Sequence, residues 1–161
     1  MNTIKIKVDN RSSNDMAAYA TEGSSGMDLR ASLESPKEMA PFERTLISTG
    51  LFFEIPAAYE AQVRPRSGLA IKKGLTVLNT PGTIDSDYRG EVRMILVNLS
   101  QVSNTIEPGE RVAEIVFQKI EKAELLSSAD LEETKRGAGV LDIRVINNQC
   151  ENFFPYGSSF C

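Results

Sequence analysis

The sequence predicts an all-β protein, and three observations carry that prediction. Short runs rich in β-branched and aromatic residues recur along the chain, Gly, Pro, Asn and Asp clusters separate them at the spacing of a sandwich or barrel, and helical periodicity is confined to two brief stretches. In chain order the strands are expected at 4–8, 44–53, 59–63, 76–78, 92–99 and 112–120. One short helix is expected at 67–73, after Pro65 and stopped by Gly74, and a weaker one at 129–134. Thr80-Pro81-Gly82 and 104–110 read as turns, and Asp85 to Gly90 as a polar hairpin connection between two hydrophobic strands.

The 161 residues suit one domain with one hydrophobic core. Beyond Lys135 the character changes: Arg136-Gly137-Ala138-Gly139 is a flexible glycine-containing segment, and no periodicity follows it. The expected organisation is therefore a β domain over 1–135 and an arm over 136–161.

Composition narrows the chemistry. Hydrophobic residues make up 41% and charged residues 25%, the balance of a soluble globular protein. No apolar run approaches the roughly 18 residues that a membrane span needs. The opening, MNTIKIKVDN, alternates like a strand and lacks the features of a signal peptide. A net charge of −4 gives no bulk attraction for duplex nucleic acid. The two cysteines, Cys150 and Cys161, come too late in the chain to staple a fold and fit a reduced, cytoplasmic protein. The chain has no histidine, which excludes Ser-His-Asp and Cys-His catalysis and His-rich zinc sites. A general base must be a carboxylate, lysine or tyrosine.

Four segments can carry chemistry. In Ser25-Gly26-Met27-Asp28-Leu29-Arg30-Ala31, Asp28 either caps a turn at the start of a strand or offers a hard oxygen, direct or through water, to Mg²⁺. In Pro65-Arg66-Ser67-Gly68-Leu69-Ala70, a guanidinium, a hydroxyl and a glycine meet at a helix N-terminus. That combination can cradle phosphate, although Ser67 near the N-cap with a solvated Arg66 is the ordinary alternative. Asn79 to Val92 carries an amide, two aspartates and an aromatic. Such a hairpin can take a planar base edgewise against Asn79 and backbone groups, with Tyr88 against a sugar and Asp85 activating water beside a triphosphate. Gly109 to Gln118 reads as a tight turn feeding a buried strand, with Arg111 serving a phosphate or a neighbouring acid.

Together and in this order, these segments resemble the motifs of the trimeric deoxyuridine triphosphatases (dUTPases) across most of 1–139. The pieces PRSGLAIKKGL and GTIDSDYRGEV are the most specific. The resemblance implies a jelly-roll-like β-clip barrel that assembles as a homotrimer with active sites between subunits. It implies dUTP as substrate, Mg²⁺ as cofactor, and cleavage to dUMP and pyrophosphate by water attack on the α-phosphorus. Residue by residue, it assigns Asp28 to the metal-bound triphosphate and Arg66, Ser67 and Gly68 to the phosphates. Asn79, Gly82, Thr83, Ile84 and Tyr88 fall to the uracil and deoxyribose pocket, and Asp85 to the catalytic base. Gln118 and Arg136 join the substrate-binding set, Arg136 as the arginine of the closing arm. Neither nucleic acid nor membrane is expected as a partner.

Two positions depart from the family pattern. Glu114 stands where many relatives carry glutamine. The arm, of the form R-G-x-G-G-F-G-x-T-G in the family, begins here with Arg136-Gly137-Ala138-Gly139 and continues Val140-Leu141-Asp142-Ile143-Arg144-Val145. Written with the permitted codons GTT TTG GAC ATA CGG GTN and one G restored in front, those six residues become Gly-Phe-Gly-His-Thr-Gly. The tail from 140 is therefore expected to be out of frame. A catalytically silent nucleotide-binding trimer, or a dCTP deaminase of the same fold, are the competing readings.

Overall fold

A computed structural model describes residues 3–137. Ten strands and one helix follow in order: β1 (Lys7–Asn10), β2 (Met27–Arg30), β3 (Lys37–Met39), β4 (Arg44–Glu54), β5 (Tyr59–Pro65), α1 (Ser67–Lys73), β6 (Leu75–Val77), β7 (Gly82–Ile84), β8 (Glu91–Asn98), β9 (Asn104–Ile106) and β10 (Arg111–Lys119). Packing divides the chain into Met1–Lys122 and Ala123–Cys161. All the strands belong to the first unit.

Two four-stranded antiparallel sheets, ordered β1-β4-β8-β6 and β2-β10-β5-β7, share one core, and β3 pairs with β9 beside them. The period-2 pattern explains which faces meet. Along β8, Val92, Met94 and Leu96 are buried, while Arg93 and Ile95 between them turn outward. Leu29, Ala61, Val63 and Ile115 supply the opposing sheet, and Phe53 meets Phe117 edge to face at 5.7 Å between centroids. The buried polar groups are satisfied. Thr49 donates to the Val92 carbonyl at 2.6 Å, and the Asn98 amide donates to the Met39 and Val102 carbonyls.

The helix occupies 67–73 as expected and ends at Gly74, whose φ of 64° is the left-handed C-cap conformation. The long strands follow expectation to within a residue or two, except that the first is displaced to Lys7–Asn10. β3, β7 and β9 are too short to register as periodic runs, and β9 occupies the start of the segment read as a turn at 104–110.

Two expectations are corrected. The segment Asp85 to Gly90 does not close a hairpin: β7 pairs with β5 in one sheet and β8 with β4 and β6 in the other. Both edges of β8 are already taken, so β7 has no edge there to pair with. The expected helix at 129–134 is irregular. Leu131 is 88% exposed, and so short a helix does not persist without an apolar face to bury. No described helix is long and apolar enough to cross a membrane.

Candidate functional site

The first assembly of predicted residues is a cavity of about 270 Å³ lined by Asn79, Gly82, Thr83, Ile84, Asp85 and Tyr88. Strand pairing builds it. β7 lies on β5 with Val63 opposite Gly82 and Ala61 opposite Ile84, so the strand before the acid is held by main-chain hydrogen bonds. A turn bond from the Tyr88 N–H to the Asp85 carbonyl, 3.2 Å, folds the loop back. The Tyr88 hydroxyl donates to the Glu91 carbonyl at 3.0 Å. Asn79 packs so closely that a Cβ on Gly82 would lie 3.0 Å from its amide nitrogen, which fixes an amide beside the backbone of β7.

The other wall comes from β4 and β8 through Leu46, Glu91, Arg93 and Ile95. None of these four was singled out from the sequence. Arg93 and Ile95 sit on the outward face of an otherwise buried strand, where alternation marks them as exposed without marking them as part of a site.

The second assembly is an acid held between two arginines. Asp28 on β2 is ion-paired through Oδ1 with Arg66 Nε, 2.8 Å away, and accepts a hydrogen bond from Arg111 Nη1 through Oδ2 at 3.0 Å. Arg66 also donates from Nη1 to the Arg111 carbonyl at 3.0 Å. The carboxylate is only 19% exposed, while the two arginines are 27% and 47% exposed, so cationic surface is what the cluster presents to solvent. Arg66 is the N-cap of α1 with extended backbone and no side-chain cap bond. Ser67 is therefore the first helical residue rather than the cap. Ser67 and Gly68 are exposed, and their amides lie in the first turn, where N–H groups lack intrahelical acceptors.

Both Asp28 oxygens are engaged by guanidinium groups, and the described residues hold no group of three or more acids, cysteines or histidines that could cage a cation. This donor set does not fit a metal held by the protein alone. A Mg²⁺ that keeps most of its waters and is bound chiefly by a ligand's phosphate oxygens would not need such a cage.

Glu114, on β10, lies opposite Asp28 on one side and Arg64 on the other. Arg64 turns instead to Gln62 Oε1, at 2.7 Å from Nη2. A Cβ on Gly26 would come within 3.1 Å of the Glu114 carboxyl carbon.

The remaining predicted residues stand apart. Gln118 is exposed near the end of β10 opposite Glu60, and it does not line the cavity. Arg136 is exposed in the second unit. The altered arm from Val140 lies outside the described residues. No residue of the Asp28–Arg66–Arg111 cluster lines the cavity. A larger cavity of about 570 Å³, walled by Ile4, Ile6, Met16, Phe53 and Phe117 among others, contains none of the predicted site residues.

Comparison with known proteins adds three findings. The dUTPase family profile matches residues 12–153. A deoxyuridine 5'-triphosphate nucleotidohydrolase of Fusobacterium nucleatum is 50% identical over 137 residues, covering 85% of this chain and 94% of the relative. One from Aquifex aeolicus is 61% identical over 110 residues, 68% of this chain and 73% of the relative. Among solved structures, a mutant Staphylococcus bacteriophage 80alpha dUTPase with dUpNHpp superposes with a TM-score of 0.78 at 23% identity, covering 86% of this chain and 97% of that one. A mutant dUTPase from phage phi11 of S. aureus, reported for its coordination of a structural Mg(II) ion, gives 0.73 at 20% identity and covers 81% and 100%.

Proposed function

This chain belongs to the dUTPase family, and on that premise we propose that it hydrolyses dUTP to dUMP and pyrophosphate with Asp85 as the base that activates water. The observation that carries the proposal is the cavity that gathers Asn79, the Gly82–Ile84 strand, Asp85 and Tyr88. Uracil enters edgewise. Its polar edge pairs with main-chain groups of β7 and with the Asn79 amide, and a base with a different donor pattern leaves such groups unpaired, at a cost of roughly 1–3 kcal/mol each. Tyr88 lies under the deoxyribose, where a 2′-hydroxyl meets the ring.

Asp85 takes a proton from a water as the water's oxygen bonds to the α-phosphorus, the bond between the α-phosphorus and the bridging oxygen breaks, and pyrophosphate departs carrying the bridging oxygen. Arg66, the Ser67 hydroxyl and the first amides of α1 bind the phosphates, with Arg111 beside them. Asp28 holds the two guanidinium groups in place and would be the acid that assists in holding the metal. Mg²⁺, when bound on the triphosphate, neutralises charge that develops during transfer.

The homotrimer belongs to the same proposal. Within one chain no residue of the proposed phosphate-binding cluster lines the nucleoside cavity, which supports a site completed by a second copy. The cavity opens beside an outward sheet face on which Leu46 is 49%, Leu78 48% and Ile95 36% exposed, the kind of apolar face that a symmetric neighbour covers. Gln118 and Arg136 remain in the proposed substrate-binding set, Arg136 through the arm. The cytoplasmic location rests on composition. The domain boundary at 135 and the frame change at 140 are part of the reading too, and the altered arm is what favours a second one, a trimer that binds nucleotide with little turnover.

The test is release of pyrophosphate from dUTP, with dCTP, dTTP and UTP as controls and with or without Mg²⁺. Selective, Mg²⁺-dependent cleavage of dUTP supports the enzyme. Binding without release moves the protein to the second reading, and ammonia release from dCTP to the deaminase.

A further inference from the structure

We propose that Gly90 and the carbonyl of Glu91 form a seat that sets the height of the Tyr88 ring, and that this seat, rather than the tyrosine alone, fixes the preference for deoxyribose over ribose. The proposal rests on the reading of Tyr88 as the residue beneath the sugar.

Tyr88 is 42% exposed, so surrounding side chains do not hold its ring in place from all sides. Two contacts fix it at its hydroxyl end. An added Cβ at Gly90 would fall on the Tyr88 hydroxyl and lie 2.5 Å from Cζ and 2.9 Å from Cε2. The ring therefore rests on the bare α-carbon of Gly90, and no other residue fits under it. The hydroxyl is tied at 3.0 Å to the carbonyl of Glu91, the first residue of β8.

That carbonyl is itself held. The Glu91 carboxylate accepts from the Gly50 N–H at 2.8 Å and from the Ser48 hydroxyl at 3.4 Å. It thus pins the start of β8 to the irregular part of β4, where pairing shifts between Ser48 and Phe52. Beside it, the Thr49 hydroxyl donates to the Val92 carbonyl. The start of β8 is thereby fixed to a neighbouring strand at two successive residues, and the ring takes its position from that strand. Because β7 and β8 lie in different sheets, loop 85–90 has no ladder of its own to hold Tyr88, and the seat supplies what a hairpin would have supplied. Steric discrimination against one hydroxyl is sensitive to displacements of an ångström or less, since repulsion rises steeply where attraction does not.

The experiment is the ratio of kcat/KM for dUTP over UTP, measured on the full chain and on Tyr88→Ala, Gly90→Ala, the double variant and Tyr88→Phe. We expect Gly90→Ala to lower the ratio by at least about tenfold, because the added methyl group drives the ring off its seat and out from under the sugar, and chiefly by admitting UTP rather than by slowing both substrates. The double variant should match Tyr88→Ala, because a seat without a ring has nothing to position. Tyr88→Phe, which removes the hydroxyl without adding bulk, should lower the ratio severalfold, and it decides the matter if Gly90→Ala does not fold. An unchanged ratio in Gly90→Ala and Tyr88→Phe, equal losses on both substrates, or additive effects in the double variant overturn the seat. A native chain that cleaves dUTP but loses no preference in Tyr88→Ala instead overturns the reading of Tyr88 on which the seat depends.

Discussion

Asp85 and Glu43 are both acids in turns, and local geometry gives them different work. Asp85 lines a cavity together with Tyr88; in its proposed role as the base, Asp85→Asn should lower kcat for dUTP by roughly 10²–10⁴-fold, the usual contribution of a positioned proton acceptor. KM should change much less, because asparagine keeps the size and hydrogen-bonding reach of the side chain; steady-state kinetics at saturating Mg²⁺ separates the two. Glu43 serves the fold. The Ala40 main-chain N–H donates to it at 2.8 Å, Lys37 pairs with it at 3.1 Å and the Thr45 hydroxyl donates at 3.0 Å, and together they hold its carboxyl below the ordinary glutamate value of 4.5. A depressed carboxylate pKa means that the unfolded chain binds the proton more tightly. The stabilisation is therefore present above that ordinary value and is lost as pH falls through the lower, folded value. Thermal melts of Glu43→Gln should show a lower Tm than the native chain at pH 7 and a difference that closes as the pH is taken below 4.5.

Elements were legible in the sequence wherever they were long enough to show a period. β4, β8 and β10 run to 11, 8 and 9 residues, with burial alternating from Val92 to Leu96 in β8, and α1 carries its own stop signal in Gly74. Of the three-residue strands only β6, expected at 76–78 and found at Leu75–Val77, was read; β3, β7 and β9 were not, because three residues hold no period and only their partners define them. Pairing was hidden for the same reason: nothing in Gly82-Thr83-Ile84 states that β5 is its neighbour, so a hairpin was the economical reading of a polar loop between apolar runs. The cavity residues were legible as a motif, whereas Glu91 and Gly90 acquire meaning only when the ring of Tyr88 is seen to rest on one and bond to the other. Gly74 tests how far α1 depends on its cap. Its φ of 64° is unfavourable for any side chain, and a Cβ there would lie 2.9 Å from that of Ser100 and 3.0 Å from the Ser100 nitrogen. Gly74→Ala should destabilise the protein by about 1–3 kcal/mol in urea unfolding. It should also weaken phosphate binding, since α1 presents Ser67 and Gly68.

At the scale of the whole molecule, activity is expected to depend on what one chain lacks by itself. Leu46 and Ile95 face each other across β4 and β8 on the outward side of the sheet and also border the cavity. Placing glutamate at both positions should set like charges in direct opposition on each copy and against the neighbouring subunit. Light scattering should then report about one-third of the native mass, with turnover lost. The arm is the second missing part. If Arg66, Ser67 and Gly68 bind the phosphates as proposed, a surface on which Ser67 and Gly68 are exposed and Arg66 half-buried leaves the triphosphate in water unless something covers it, and water competes with every hydrogen bond and charge that organises the reaction. The tail from Val140 onward has neither the glycines nor the phenylalanine spacing of the family arm. Replacing it with Gly-Phe-Gly-His-Thr-Gly after Gly139 should therefore raise kcat by roughly 10²-fold, the scale on which imperfect positioning of reacting groups costs rate. Affinity for dUMP, which has no β- or γ-phosphate for Arg136 to reach, should change far less. Equal kcat in the two chains would mean that the triphosphate is already ordered without the arm, and the frame change at 140 would then carry no functional weight.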